Sequence, residues 1–405
     1  MATLDSIAIS RQQLDGDKMI VNFGPSHPTT HGTLHIVMEL EGEIITKATP
    51  QIGYLHRGVE KLGENLTYNQ FVPLTDRLNY CSSIMNNVGY ALAVEKLLGI
   101  QDPPRSRVIR VLVSELARVA DHIICLGINA VDLGAFTAFL YLFRQRETVY
   151  DLFEMSAGQR LHTSFTRVGG LFRDLPEDFY PLCERFLVEC PEAIDELEKL
   201  LTKNPIWHDR TKGVGAMSAA DAVSWGYTGP CLRACGLGHD LRVAQPYLDY
   251  DQYDFDIPVG TTGDVFDRYL VRVEEMRQCL RIIRQALDKL KELGPGPVIV
   301  DDYKIALPPK EKVYTRMESL IHHFKLIMHG MEMPVGEVYS ATEAANGELG
   351  YYIVSDGGKN PYRIHVRPPC LPIFNSFDSK VRGRLIADAV SELGAMNVIA
   401  GELDR

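Results

Sequence analysis

Leu112, Leu116, Val119, Ile123, Leu126, Ala130 and Leu133 recur at alternating spacings of four and three. A helix gathers such a series onto one face, whereas a strand scatters it over both. Tyr269, Val273, Met276, Leu280, Ile283, Leu287 and Leu290 repeat the pattern. Two long helices with stripes this narrow are expected to pack at shallow angles in a bundle. The run Gly294-Pro-Gly-Pro297 stops the second helix. Helices are therefore expected to dominate from about Leu74 to Leu293.

Both flanks look different. Met19–Phe23, Leu34–Leu40 and Ile44–Thr49 are strand-like, the last two around the turn Glu41-Gly42-Glu43, and predict a small antiparallel element. Beyond Pro297 the pattern predicts one helix over about Lys312–His329. Strand-like pieces follow at Glu337–Tyr339, Gly350–Ser355 and Arg363–Arg367, the turn Asp356-Gly357-Gly358 lying between the last two. A final helix is predicted over about Asp378–Leu393. The fold class is thus α+β, a central helical bundle with small β elements at both ends. Its zones are residues 1–70, β-rich; 71–295, the bundle; and 296–405, mixed α and β.

At 405 residues the chain corresponds to roughly two or three domains of about 150 residues. No repeat, low-complexity tract or long linker divides it. The net charge of −11 leaves no electrostatic footprint for nucleic acid and no polybasic patch for anionic lipid. The start, Met1–Gly16, lacks the charged-then-apolar layout of a secretory signal. The most apolar region, Val111–Phe143, is interrupted by Glu115, Arg118, Asp121 and Asp132. Its cleanest run, Leu133–Phe143, falls far short of the roughly 18 residues of a membrane span. Membrane association is therefore expected only through partners. Eight scattered cysteines suit free thiols in a reducing cytoplasm.

Several chemistries fail on their motifs. Gly213-Val-Gly215 and Gly236-Leu-Gly238 lack the spacing of a dinucleotide loop, and no phosphate-binding GxxxxGK[ST] exists, so these glycines read as turns. No CxxC occurs, which argues against an iron–sulfur or zinc site built by this chain alone. Cys231 and Cys235 read as small buried residues. His322, His323 and His329 share a predicted helix without a carboxylate at ligand spacing.

The most unusual local feature is Gly24-Pro-Ser-His-Pro-Thr-Thr-His-Gly32. Pro28 and Gly32 argue against a helix presenting His27 and His31 together, so a tight polar loop between two strands is expected. It either holds a functional group or simply satisfies its own carbonyls. Asp132, an acid among apolar neighbours, is either the N-cap of a following helix or a buried carboxylate that needs a partner. Pattern alone makes Tyr80 a core aromatic.

These segments together resemble one family. Its markers are the His27–His31 loop, Ile52-Gly-Tyr-Leu-His-Arg-Gly-Val-Glu-Lys61, and Gly158-Gln-Arg-Leu-His162 with Arg167-Val-Gly-Gly170. Further markers are Gly263-Asp-Val-Phe-Asp-Arg268, Gly347-Glu-Leu-Gly-Tyr-Tyr-Ile-Val-Ser-Asp-Gly-Gly358 with Pro361-Tyr-Arg363, and the terminal Asp404-Arg405. In order, from about residue 20 to the last, they are similar to the D-type subunits of bacterial respiratory complex I, the NADH:quinone oxidoreductase. That family is related to the large subunit of nickel–iron hydrogenases, which holds nickel with two CxxC pairs. Here Arg77-Leu-Asn-Tyr-Cys-Ser82 stands at the early pair and the late pair is missing, so no nickel site is available. The chain departs from the family at His35, where Arg is common, at Asn397, where Asp is usual, and at Cys370, where Ser is common.

The resemblance implies a hydrogenase-large-subunit-like fold and a part in proton-translocating NADH:quinone oxidation. His31 and Tyr80 would hydrogen-bond and protonate the quinone head group, with Asp132 as the partner of His31. A neutral imidazole would donate one ring N–H to the quinone while its other nitrogen engages the acid. The chain itself would bind no cofactor and no metal. Ubiquinone or menaquinone would be the substrate, with electrons from an iron–sulfur cluster in a neighbouring B-type subunit. The C-type subunit and the membrane arm are further implied partners, and the location is peripheral, on the cytoplasmic side of the inner membrane. Two rival readings are a scaffold with a dead site and a hydrogenase-like oxidoreductase.

Overall fold

The structure, a computed structural model, describes residues 18–405; the stretch Met1–Gly16 lies outside the described residues. Strands β1 (Lys18–Phe23), β2 (His35–Glu41) and β3 (Ile44–Gln51) form an antiparallel sheet in that order. Alternation along β2 turns Ile36, Met38 and Leu40 into the core.

The helical part follows: α1 (Ser83–Leu98), α2 (Pro104–Asp132), α3 (Phe136–Ala157), α4 (Phe179–Leu201) and α5 (Val265–Leu293). Pro104 starts α2 at a position where a missing N–H costs nothing. Asp264 caps α5 by accepting from the Asp267 amide, and Gly294 ends it. A ribbon of β4 (Thr166–Arg167) and β5 (Gly170–Leu171) interrupts the helices. Two residues per strand are too few to show alternation in sequence.

The rest comprises α6 (Lys310–Thr315), α7 (Met317–His329), β6 (Val335–Ala344), β7 (Gly347–Asp356) and β8 (Arg363–Arg367), then α8 (Cys370–Asn375), α9 (Phe377–Val381), α10 (Ile386–Met396) and α11 (Ala400–Asp404). Strands β6, β7 and β8 form a second three-stranded antiparallel sheet. The chain is a mixture of helix and small sheets, as its pattern predicts.

Three expectations need correction. The helix predicted over Lys312–His329 is two helices, because Arg316 is extended. Strand β6 is far longer than Glu337–Tyr339 and pairs with β7 from Val335–Asp356 to Ala344–Gly347. The final helix predicted over Asp378–Leu393 is broken after Val381. Gly383 takes φ +78° and the segment runs along β3, the Gly383 amide donating to the Ile45 carbonyl at 2.7 Å and the Ile45 amide to the Arg384 carbonyl at 2.8 Å. Unmet backbone groups on the edge of β3 outcompete helical continuity there.

The apolar stripes also understate burial. Helix α2 is enclosed around its circumference, with Arg110, Glu115, Arg118, Asp121 and His122 inside. Most of these charges are matched, several by partners distant in sequence. Glu115 meets Arg118 at 3.2 Å and Arg242 at 3.1 Å; Glu275 of α5 meets Arg233 at 2.9 Å and Arg242 at 3.2 Å.

The glycines read as turns are turns, with φ +71° at Gly213 and +59° at Gly215. A Cβ on Gly215 would lie 1.7 Å from Glu392 Oε2. That close approach leaves Glu392 within 2.7 Å of Arg268 and 3.0 Å of Lys380, all three buried. Replacing Glu392 by Ala strands two buried cations, so Glu392→Ala should lose about 3–5 kcal/mol of stability. Chemical denaturation of the purified chain would show this as a lower midpoint.

Candidate functional site

The loop after β1 is shaped by its own side chains. His27 caps a one-turn 3-10 helix, Pro28–Thr30, its Nδ1 accepting from the Thr29 amide at 3.2 Å. Thr30 Oγ1 donates to the His27 carbonyl at 2.7 Å. His31 closes the turn in the left-handed region, φ +48°, a conformation that a non-glycine residue keeps only where its surroundings require it.

What requires it is Asp132. His31 Nε2 lies 2.7 Å from Asp132 Oδ2, across 101 residues of sequence, and both side chains are largely buried. Asp132 is the last residue of α2. The next helix has Ala135 at its N-cap, with no side-chain cap. The N-cap reading of Asp132 is thereby overturned. A carboxylate at a helix C-terminus faces the negative end of the dipole, so it gains more than usual from a donor such as the His31 ring.

Tyr80 approaches the same loop. A Cβ placed on Gly32, next to His31, would lie 3.9 Å from the Tyr80 hydroxyl oxygen. Tyr80 is half-buried against an apolar cluster that includes Cys370 and Leu403. Burial first, then the neighbouring Cys81 and Cys370, pushes its phenol up to about 12, so it keeps its proton at neutral pH. Among the described residues its hydroxyl has no hydrogen-bond partner. Pattern reading as a core aromatic misses this free hydroxyl.

Sequence reading gives no role to the residues that hold the surrounding wall. The Asp404 carboxylate accepts from the amides of Gly53 at 3.0 Å and Leu55 at 2.7 Å, while His56 Nδ1 meets the Asp404 carbonyl at 2.7 Å. Arg57 Nη2 donates to the carbonyls of Arg77 at 2.9 Å and Gly401 at 2.8 Å. Residues 53–57, the chain end and the segment before Tyr80 are thus one unit. Burial, with some repulsion from Arg77, lowers the proton affinity of Arg57; burial and then Arg77 lower that of His162. Their only sequence signal is the clustering of His and Arg beside glycines in Ile52–Lys61 and Gly158–His162.

Ile52, Tyr54, Phe136 and Leu140 are exposed in the segments that flank these groups. Two cavities, of about 500 and 410 Å3, lie elsewhere. One is lined by Tyr141, Glu192 and Lys199, the other by Asp102, Arg107 and Tyr247. Neither is lined by His31, Tyr80 or Asp132. Cys231 and Cys235 are buried, and the His322 ring lies 6.4 Å from that of Tyr303, tilted by 60°. Among the described residues no three His, Cys, Asp or Glu side chains are grouped to hold a metal ion. No described helix is long and apolar enough to cross a membrane.

Residues 132–405 match the family described as respiratory-chain NADH dehydrogenase, 49 Kd subunit. The D-type subunit of the NADH-quinone oxidoreductase of Geotalea uraniireducens is 52% identical over 387 residues, covering 96% of this chain and 98% of the relative. Its counterpart of the same name in Myxococcus xanthus is 51% identical over 392 residues, covering 97% and 94%. The NADH-quinone oxidoreductase protein of Bdellovibrio bacteriovorus that bears the joint C/D designation is 53% identical over 385 residues, covering 95% of this chain and 68% of the relative.

The role of Asp404 can be read directly. Asp404→Ala leaves the Gly53 and Leu55 amides without acceptors, at a cost of about 1–3 kcal/mol. Hydrogen exchange at these amides should quicken, while that of α5 stays as it was.

Proposed function

The chain belongs to the 49 kDa subunit family of respiratory-chain NADH dehydrogenases, and on that premise we propose that it carries the quinone-reduction site of a proton-translocating NADH:quinone oxidoreductase. The observation that carries this reading is the His31–Asp132 contact beside a tyrosine whose hydroxyl has no partner. Reduction of a quinone to a quinol needs two electrons and two protons, and the protons must come from donors within hydrogen-bond reach of the carbonyl oxygens. His31 and Tyr80 are those donors, and Asp132 partners His31.

The geometry refines the histidine's role. A carboxylate only accepts, so the N–H of a neutral His31 is occupied by Asp132 and Nδ1 is left as an acceptor. Donation to the quinone through Nδ1 therefore needs a proton on that nitrogen as well. Tyr80, buried and unpaired, offers its O–H without giving up an existing bond.

Neighbouring subunits complete the site. Exposed Ile52, Tyr54, Phe136 and Leu140 suit a protein interface, and Arg57 with Arg77 gives the wall beside Tyr80 a positive character. A B-type subunit there would hold the iron–sulfur cluster that supplies electrons. The C-type subunit is a further partner, consistent with the joint C/D designation of the Bdellovibrio relative. The membrane arm is a further proposed partner, with the chain peripheral on the cytoplasmic side of the inner membrane. The three-zone division and a hydrogenase-large-subunit-like fold belong to the same proposal, the helical bundle between small sheets supporting both.

In the assembled complex, Tyr80→Phe removes one hydrogen bond to a reacting oxygen, worth about 1–3 kcal/mol. Quinone-linked NADH oxidation should slow or show a higher KM, with NADH:ferricyanide activity unchanged. Asp132→Asn and His31→Ala should each impair the quinone reaction, separation of a buried pair costing about 3–5 kcal/mol. In a double-mutant cycle the combined loss should be well below the sum; strict additivity would show that the two residues act independently.

A further inference from the structure

Nearly every fully buried carboxylate in the bundle faces a cation. Glu115, Glu275, Glu343, Glu392 and Asp240 each have an arginine nitrogen within 3.2 Å. Among the described residues Asp76, Asp121 and Glu402 break this rule; Asp76 is satisfied by the Ser164 amide and hydroxyl, which leaves Asp121 and Glu402. Both are fully buried, neither makes an ion pair, and one oxygen of each, Asp121 Oδ2 and Glu402 Oε2, has no hydrogen-bond partner. Glu402 Oε1 accepts the Cys370 amide, at 3.0 Å, with the Cys370 thiol beside the carboxyl, and Asp121 Oδ1 accepts from Asn397 at 2.6 Å. The cation nearest in influence to Glu402, Arg367, is engaged by Thr228 and by the carbonyls of Glu348 and Gly226.

Glu402 is linked to the Tyr80 wall through its own helix and through Cys370. It sits on α11, whose Gly401 packs so tightly on the chain before Tyr80 that a Cβ there would lie 2.7 Å from the Arg77 carbonyl oxygen and 2.8 Å from that of Leu78. Cys370, tied to Glu402 through its amide, belongs to the apolar cluster on which Tyr80 and Cys81 pack.

We propose that Glu402 is an internal proton store that re-protonates Tyr80 after Tyr80 has given its proton to the substrate. The proposal rests on the role of Tyr80 argued above. In the step, the Tyr80 O–H bond breaks and its proton passes to a quinone oxygen as the quinone takes electrons from the partner subunit. The Glu402 carboxyl then gives its proton to the phenolate and becomes a carboxylate, to be reloaded from solvent. Burial, with Asp121 adding its charge, raises Glu402 to about 7. The other titratable or charged groups facing it are Cys370, Cys81, Tyr351 and Arg367. A donor of this kind is loaded below that pH and empty above it.

The test uses the assembled complex. In Glu402→Gln, kcat for quinone-linked NADH oxidation should fall on the order of 10²-fold, with KM and ferricyanide activity near wild type. The fall in wild-type rate as pH rises through about 7 should vanish in this variant, and Glu402→Asp should restore most of the rate. An unchanged rate and pH profile in Glu402→Gln would overturn the proposal. Tyr80→Phe, run alongside, separates the two ideas: if it impairs the reaction and Glu402→Gln does not, only the store fails, and if it is silent both fail. Should Glu402→Gln not assemble, infrared spectroscopy of the wild-type complex decides. A buried carboxylic acid that loses its proton with a midpoint near 7 is expected; its absence overturns the store.

Discussion

The buried arginine–carboxylate lattice between α2 and α5 governs how the rest of the chain is arranged. Removing Glu115, Glu275, Arg118, Arg233 and Arg242 from water costs several kcal/mol per ion, offset only if each meets its partner in good geometry. The partners come from segments far apart: Arg233 and Arg242 from the short helices Gly229–Ala234 and Leu241–Ala244 before α5, Glu343 from β6. A fold that failed to bring them together would leave charges stranded in an apolar interior. The lattice therefore discriminates against misassembled bundles, and so joins the C-terminal sheet to the helices. Arg118 makes the link explicit by donating to the carbonyls of Glu343 at 2.7 Å and Ala344 at 3.0 Å.

A rigid α2 is what makes a site possible. Its 29 residues run through the core and end at Asp132, which delivers a carboxylate to the surface at a set place. The His31 loop, tied by its own cap and by the tight approach of Gly24 to the Leu34 carbonyl, meets it there. The other wall depends on the chain end, where Asp404 and Arg57 bind three separate segments into one. Each group of the proposed chemistry thus stands on an element braced elsewhere.

Much of this arrangement was legible, and the gaps have physical causes. Strands β1 to β3 and the two long helices showed in sequence because alternation and a 3.6-residue period follow from facing a core. The breaks at Arg316 and Gly383 did not, because the competing interaction at Gly383 is the edge of β3, more than 300 residues earlier. The polar lattice was invisible for a related reason: a buried arginine reads as a solvent residue until its partner is known. At the site, residue type and family resemblance pointed to His31, Tyr80 and Asp132, but local sequence could not choose between a cap and a partner for Asp132. Only the position of Asp132 at the end of α2 does so, and that depends on where a helix stops.

The contrast between paired and unpaired polar groups is itself informative. In a chain that matches most of its buried charges, an unmatched donor or acid is costly to keep. Tyr80 has a hydroxyl without a partner, His31 has one nitrogen engaged and the other outside any internal hydrogen bond, and Asp121 and Glu402 each leave an oxygen bare. Tyr80, His31 and Glu402 belong to the segments where the His31 loop, the end of α2 and the chain terminus converge, and Asp121 lies about three turns before the end of α2. Groups that move protons must be able to exist with and without them, and a salt bridge would fix one state.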